Sequence, residues 1–328
     1  MHPIHHRSIN LTKHDFGNIP VAITGISLGF ITLGNLWGDF GALWIRAFAN
    51  FFAATAVTLM LIKICLHPKK SFDEMQHCLI GSFYPTIAMT LMVFSGFIAR
   101  TFGKPFGQAV WVFAIVLFII LAGLFILAQT QNFHWKHVVP SWFIPTVGIG
   151  VAAVSSPAVE TTYVSRSIFY IAFGLYIIML LAFLYRIATH GKVEDDKRVT
   201  LAIIAAPASV CLAGYLATFS NPNPILLSIL VPLALLSTAY VYTLLPQLLK
   251  IPFHPGLAPL TFPLAVGSVA IQRFAHYLDS INSMWATFVS QLFYIELFVA
   301  TLVIGYIVYK LLNLLFYKLS ASKAPIQH

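Results

Sequence analysis

The chain has 328 residues, 59% of them hydrophobic and 9% charged, with a mean hydropathy of +0.85. Apolar runs repeatedly reach about 20 residues, long enough to cross a hydrocarbon core, so composition excludes a soluble domain and identifies an integral membrane protein. The formal net charge of +9 would suggest nucleic acid as the partner of a soluble protein, but here the positive-inside rule accounts for it and the partner is the lipid bilayer.

The hydropathy pattern predicts ten spans, near 15–37, 42–65, 76–99, 106–129, 139–156, 164–188, 199–219, 224–249, 255–277 and 284–316. All ten read as helices, because the runs are continuously apolar, as in "WVFAIVLFIILAGLFILA", rather than alternating as in a membrane barrel. Arg7, Lys13, Lys63, Lys69, Lys70, Lys136, Arg186, Lys192, Lys197, Arg198, Lys250, Lys310, Lys318 and Lys323 fall on one side, against Arg46, Arg100, Lys104, Arg166 and Arg273 on the other. This asymmetry places both termini in the cytoplasm, with residues 1–14 and 317–328 as tails. The first tail lacks the layout of a cleaved signal peptide and reads as retained. One transmembrane domain fills the whole of 1–328, and the charge clusters at 69–77 and 190–198 read as solvated cytoplasmic loops.

Span 1 carries "NIPVAITG", span 3 "FYPTIAMT", span 5 "FIPTVGIG", span 7 "AAPASVCL" and span 9 "TFPLAVGS". Their prolines, Pro20, Pro85, Pro145, Pro207 and Pro263, recur roughly every 60 residues, the mark of an internal repeat of helical hairpins. Each proline follows a short stretch of helix, which puts all five near mid-membrane and predicts kinks at one level. Five hairpins that cross in the same direction can close into a ring around a central pore with the kinked helices inside. Prolines are also common in membrane helices as plain kinks, and span 8 adds Pro232 and Pro246 outside the pattern.

Residues after the repeat prolines are small or hydroxylated, whereas the even spans are bulky and aromatic, as in "LWIRAFANFFAATAVTLMLI" of span 2. Thr24, Thr86, Thr146, Ser209 and Ser268 are therefore candidate pore-lining groups, offering hydroxyls in place of an anion's hydration. No carboxylate ring stands among them, which argues against a cation pore. Arg100 and Arg273 end odd spans and are candidates for drawing anions to an outer mouth, or they snorkel to lipid or pair with Asp39, Glu160 or Asp279. Phe262, immediately before Pro263, is the candidate gate, because a bulky ring at a narrow level blocks and dries the lumen. Glu296, deep in span 10, is either functional or a packing contact.

Cys65, Cys78 and Cys211 show no paired spacing and read as packing residues. His2, His5, His6, His14, His134 and His137 lack the partners of a metal site, so neither a metal nor a cofactor is expected. Nor does any phosphate-binding glycine loop, catalytic dyad or nucleophile motif suggest an enzyme.

The stretches "FGNIPVAITGISLG", "VPSWFIPTVG", "APASVCLAGYLA" and "LTFPLAVGSVA" resemble the tellurite-resistance/dicarboxylate transporter family, which includes TehA-like bacterial proteins and the slow-type anion channels of plant guard cells. The resemblance implies an all-α integral membrane protein whose ten transmembrane helices form five helical hairpins in quasi-fivefold array around a pore. It further implies a trimer with one pore per subunit and a phenylalanine gate in span 9, here Phe262. The expectation is a bacterial inner-membrane channel for small monovalent anions. A C4-dicarboxylate (malate) or sulfite carrier of the same family, with proton coupling through Glu296, is the alternative.

Overall fold

The computed structural model describes residues 16–131 and 133–321. The expected tail 1–14, with His2, His5, His6 and His14, lies outside the described residues, as does the part of the expected tail 317–328 beyond 321, while 317–321 continue the last helix. Among the described residues the fold is all-helical. Its α-helices are α1 Ala22–Asp39, α2 Leu43–Leu66, α3 Pro68–Gln76, α4 Thr86–Phe102, α5 Lys104–Thr130, α6 Phe143–Val147, α7 Gly150–Val159, α8 Thr162–His190, α9 Ala205–Thr218, α10 Pro224–Leu248, α11 Phe262–Ser280 and α12 Ala286–Ala321.

Eight helical segments are long and apolar enough to cross a membrane. The other two expected spans, 15–37 and 139–156, correspond to α1 and to the broken pair α6 and α7. α1 has 18 residues and is diluted by glycines, Asn35 and Asp39, while the α6 and α7 pieces are 5 and 10 residues long.

Local chemistry sets the ends of these helices. α10 starts at Pro224, whose missing N–H is one that no helix bonds internally, and the Asn223 side chain accepts from the Ile225 N–H at 2.8 Å. Between α4 and α5 only Gly103 intervenes, at φ +107°, a left-handed conformation that glycine adopts without steric cost and that lets the chain reverse within one residue.

The repeat prolines sit at the starts of α-helices, which corrects the expectation of kinks inside them. Short 3-10 segments, Gly81–Phe83, Pro140–Trp142, Asp195–Ile204 and Pro255–Leu260, lead into α4, α6, α9 and α11. Pro85, Pro145, Pro207 and Pro263 occupy the cap or first turn of the helix that follows, and Pro20 lies just before α1. The physical reason is that the first-turn N–H groups have no partner inside the helix, so proline there forfeits no hydrogen bond. Four of the five spans thus pass from 3-10 to α winding within a few residues of the proline.

Packing separates the two kinds of helix. In the segments containing α4, α9 and α11, 72% to 83% of the most apolar stretch is buried, against 28% to 44% in those of α2, α5, α8, α10 and α12. Contacts run from α1 to α4, α4 to α7, α7 to α9, α9 to α11 and from α11 back to α1, a closed circuit. α2, α5, α8, α10 and α12 each pack on the circuit helix before them. Their outer faces carry exposed Phe51, Ile119, Ile178, Leu236 and Phe298, the side chains that suit lipid.

The cluster at 69–77 also departs from the solvated loop expected of it. It contains α3, and Glu74 accepts two hydrogen bonds from the Lys63 ammonium, at 2.9 and 2.8 Å. Lys63 is 1% exposed and donates as well to the Ile19 carbonyl at 2.7 Å, while the Tyr84 hydroxyl donates to Glu74 at 2.7 Å. The spacing of charges along a sequence does not reveal a partner on a different helix.

Candidate functional site: three cavities in series

Three cavities lie along the circuit of helices. The first, about 700 Å³, sits at the C-terminal ends of α1, α4, α7 and α11 and is lined by Asn35, Arg100, Ser155, Phe262, Gln272, Arg273 and His276, among others. The second is a neck of about 40 Å³ lined by Leu28, Phe83, Thr86, Met89, Phe143, Pro207, Val210, Phe262 and Pro263, among others, with no charged group. That is room for little more than a water or two. The third, about 460 Å³, lies where the same helices begin and includes Pro20, Lys70, Glu74, Phe83, Lys197, His254 and Pro259.

Adjacent cavities share walls. Phe262 lines both the first and the second, and Phe83 and Pro259 line both the second and the third. An aromatic residue thus borders the neck on each side. Phe83 was not singled out from sequence, yet the repeat held a signal for it. An aromatic residue stands one or two positions before the proline in "FYP", "FIP" and "TFP", and Phe83, Phe143 and Phe262 all border the neck.

The five expected hydroxyls fare differently. Thr86 lines the neck; its oxygen is 2.7 Å from that of Thr24, and it donates to the Phe83 carbonyl at 2.6 Å. Thr146 donates to Trp142, Ser209 to Ala205 and Ser268 to Leu264, each to a carbonyl four residues earlier. Like Thr24, these three stay outside the walls of the three cavities, whose central surface is apolar instead of hydroxylated. Small hydroxylated residues in a buried helix satisfy themselves on their own backbone and let neighbours approach.

Arg100 and Arg273 both line the first cavity. Arg273 is tied down, donating to the Ala213 carbonyl of α9 at 2.6 Å and the Val154 carbonyl of α7 at 2.8 Å, so it staples three circuit helices together. Arg100 is much freer, with one long contact of 3.4 Å to Asn35 Oδ1. Arg46 pairs with Asp39 and donates to the Asn35 carbonyl, and Arg166 lies over the Phe219 ring. Glu296 is 3% exposed, and its Oε2 has no hydrogen-bond partner. It faces the notch at Gly267 on α11, behind the cavities instead of in them.

Relatives of the chain include a tellurite resistance protein homolog and two uncharacterized transporters. Over 283 residues it is 24% identical to the tellurite resistance protein TehA homolog of Haemophilus influenzae, covering 82% of this chain and 84% of that protein. It is also 26% identical over 178 residues to an uncharacterized transporter of Methanocaldococcus jannaschii, 50% of this chain and 51% of that one. A second such transporter from the same organism is 26% identical over 163 residues, 46% of each chain. The chain thus spans about half the length of the two archaeal relatives and most of the length of the Haemophilus one. Residues 18–308 match the SLAC1 family, described as voltage-dependent anion channels. With nearly its whole length matched, and with an all-helical fold among the described residues, the chain belongs to the SLAC1 family of anion transporters and channels.

Proposed function

We propose that this protein is a channel for small monovalent anions such as chloride or nitrate, with Phe262 as its gate. The observation that carries the reading is the series of cavities: two wide vestibules on either side of a narrow uncharged neck, with Phe262 in the wall of both the neck and the C-terminal vestibule. The closed circuit of contacts and the deep burial of its helices support ten helices paired as five hairpins in quasi-fivefold order around that path. Anion preference is supported by Arg100 at the C-terminal vestibule, and no carboxylate lines the neck to oppose it. Weak, uncharged contacts at the narrowest point favour passage over trapping. Family resemblance supports a homotrimer with one pore per subunit, and charge asymmetry supports cytoplasmic termini in a bacterial inner membrane.

The test is Phe262→Ala. In liposomes, the variant should pass chloride at rates far above the parent and without dependence on a proton gradient. If the flux stays at the parent's level, Phe262 is not the gate. Saturable malate or sulfite uptake that collapses with the proton gradient would replace the channel with a carrier.

A further inference from the structure

Phe262 opens α11, and the element that holds this first turn is α1, at the other end of the chain. Thr261 is fully buried, and its hydroxyl is shared between the Ala258 carbonyl at 2.8 Å and the Gly25 carbonyl of α1 at 3.0 Å. One turn farther along α1, Gly29 meets the same segment. A Cβ placed on Gly29 would stand 2.6 Å from Thr261 Oγ1 and 2.7 Å from the Phe262 backbone nitrogen, and it would also overlap Thr261 Cβ. Non-bonded heavy atoms settle at about 3.5–4.0 Å, so a single methyl here demands a shift of roughly 1 Å. Part of the obstruction is main chain, which cannot rotate aside as a long side chain would. What gives way is the backbone that carries the gating ring.

We propose that Gly29 and Thr261 are positioning residues that form the seat of the gate. Their contact presses the first turn of α11 against α1 and so fixes where the Phe262 ring stands across the neck. The inference rests on the gate reading above and adds to it the element against which the gate closes. Gly34 supplies an internal comparison, because a Cβ there would overlap Ala49 of α2 just as closely. That collision falls between α1 and α2, with no part of α11 involved.

The experiment measures chloride flux in liposomes for the full-length parent and for Phe262→Ala, Gly29→Ala, Gly34→Ala and the Gly29→Ala/Phe262→Ala double variant. Gly29→Ala is expected to raise flux several-fold over the parent, while Gly34→Ala does not. In the Phe262→Ala background Gly29→Ala should add nothing, because the ring it would displace is gone. If Gly29→Ala does not insert and fold, Thr261→Val keeps the shape, removes the bond to Gly25 and should raise flux in the same direction. The seat is overturned if Gly29→Ala behaves as Gly34→Ala does, if its effect adds fully to that of Phe262→Ala, or if Thr261→Val matches the parent when it stands in for Gly29→Ala. Phe262→Ala alone judges the gate: an open Phe262→Ala with a closed Gly29→Ala removes the seat and leaves the gate, whereas flux from neither removes both.

Discussion

Replacing Lys63 with methionine isolates a buried ammonium that links three separate parts of the chain beside the N-terminal vestibule. Lys63 of α2 donates to both oxygens of Glu74 on α3 and to the Ile19 carbonyl just before Pro20, and Tyr84 completes the group beside Pro85. Removing one partner of a buried pair costs about 3–5 kcal/mol, chiefly because the other charge is left uncompensated. Glu74 is 21% exposed and keeps its bond from Tyr84, so the low end of that range applies, about 3 kcal/mol. For a chain of this size each kcal/mol moves the melting temperature by about 1.5 °C, so a fall of roughly 4–5 °C is expected. The assay is thermal unfolding of the detergent-purified protein, followed by loss of helical circular dichroism. Lys63→Met/Glu74→Gln should recover much of the loss, since a neutral amide still accepts from Tyr84 and leaves no bare charge. A single variant that melts with the parent, or a double variant that falls further by the sum of the two changes, would refute the reasoning.

Three further outcomes follow from the cavities and their walls. On the gate proposal, Phe83→Ala should pass little chloride by itself, because Phe262 would still bar the path, yet it should raise the flux of Phe262→Ala; equal flux with and without it would show that Phe83 is no obstruction. Arg100→Gln, placed in the Phe262→Ala background, should lower chloride flux at low salt, with the deficit closing as the Debye length shrinks from about 10 Å at 0.1 M to 3 Å at 1 M. A deficit that persists at high salt would speak against electrostatic attraction. Arg273→Met removes two charge-assisted hydrogen bonds, each worth about 1.5–3 kcal/mol, so it should depress the melting temperature clearly more than Arg100→Gln does. Comparable melting of these two variants would remove the staple role.

Particular residues show how far the sequence could be read. The contrast between "APASVC" in α9 and "FYIAFGLYIIMLLAF" in α8 foretold which helices are enclosed and which face outward, because burial demands small close-packing residues and lipid accepts large ones. The prolines announced the repeat but not their geometry, since one hydrophobic run looks the same whether it is a kinked α-helix or a 3-10 segment followed by an α-helix. Of the five expected hydroxyls only Thr86 borders a cavity; serine and threonine bond equally well to their own backbone, and sequence does not say which way each one faces. Arg100 and Arg273 looked alike as cations at span ends. Only the structure separates them, by placing the carbonyls of Ala213 and Val154 within reach of one and not the other.

By itself, the amino-acid sequence determined that this is an all-helical membrane protein with a repeated proline-marked unit, and it pointed to Phe262 as the residue to watch. These properties follow from hydropathy, periodicity and the chemistry of single residues, which are local and survive projection onto one dimension. The tertiary structure decided what meets what: Phe83 on the far side of the neck, Glu74 on Lys63, and Thr261 against Gly29 from opposite ends of the chain. Such contacts depend on how separate helices rotate and approach one another, and van der Waals distances, not sequence spacing, choose among those arrangements.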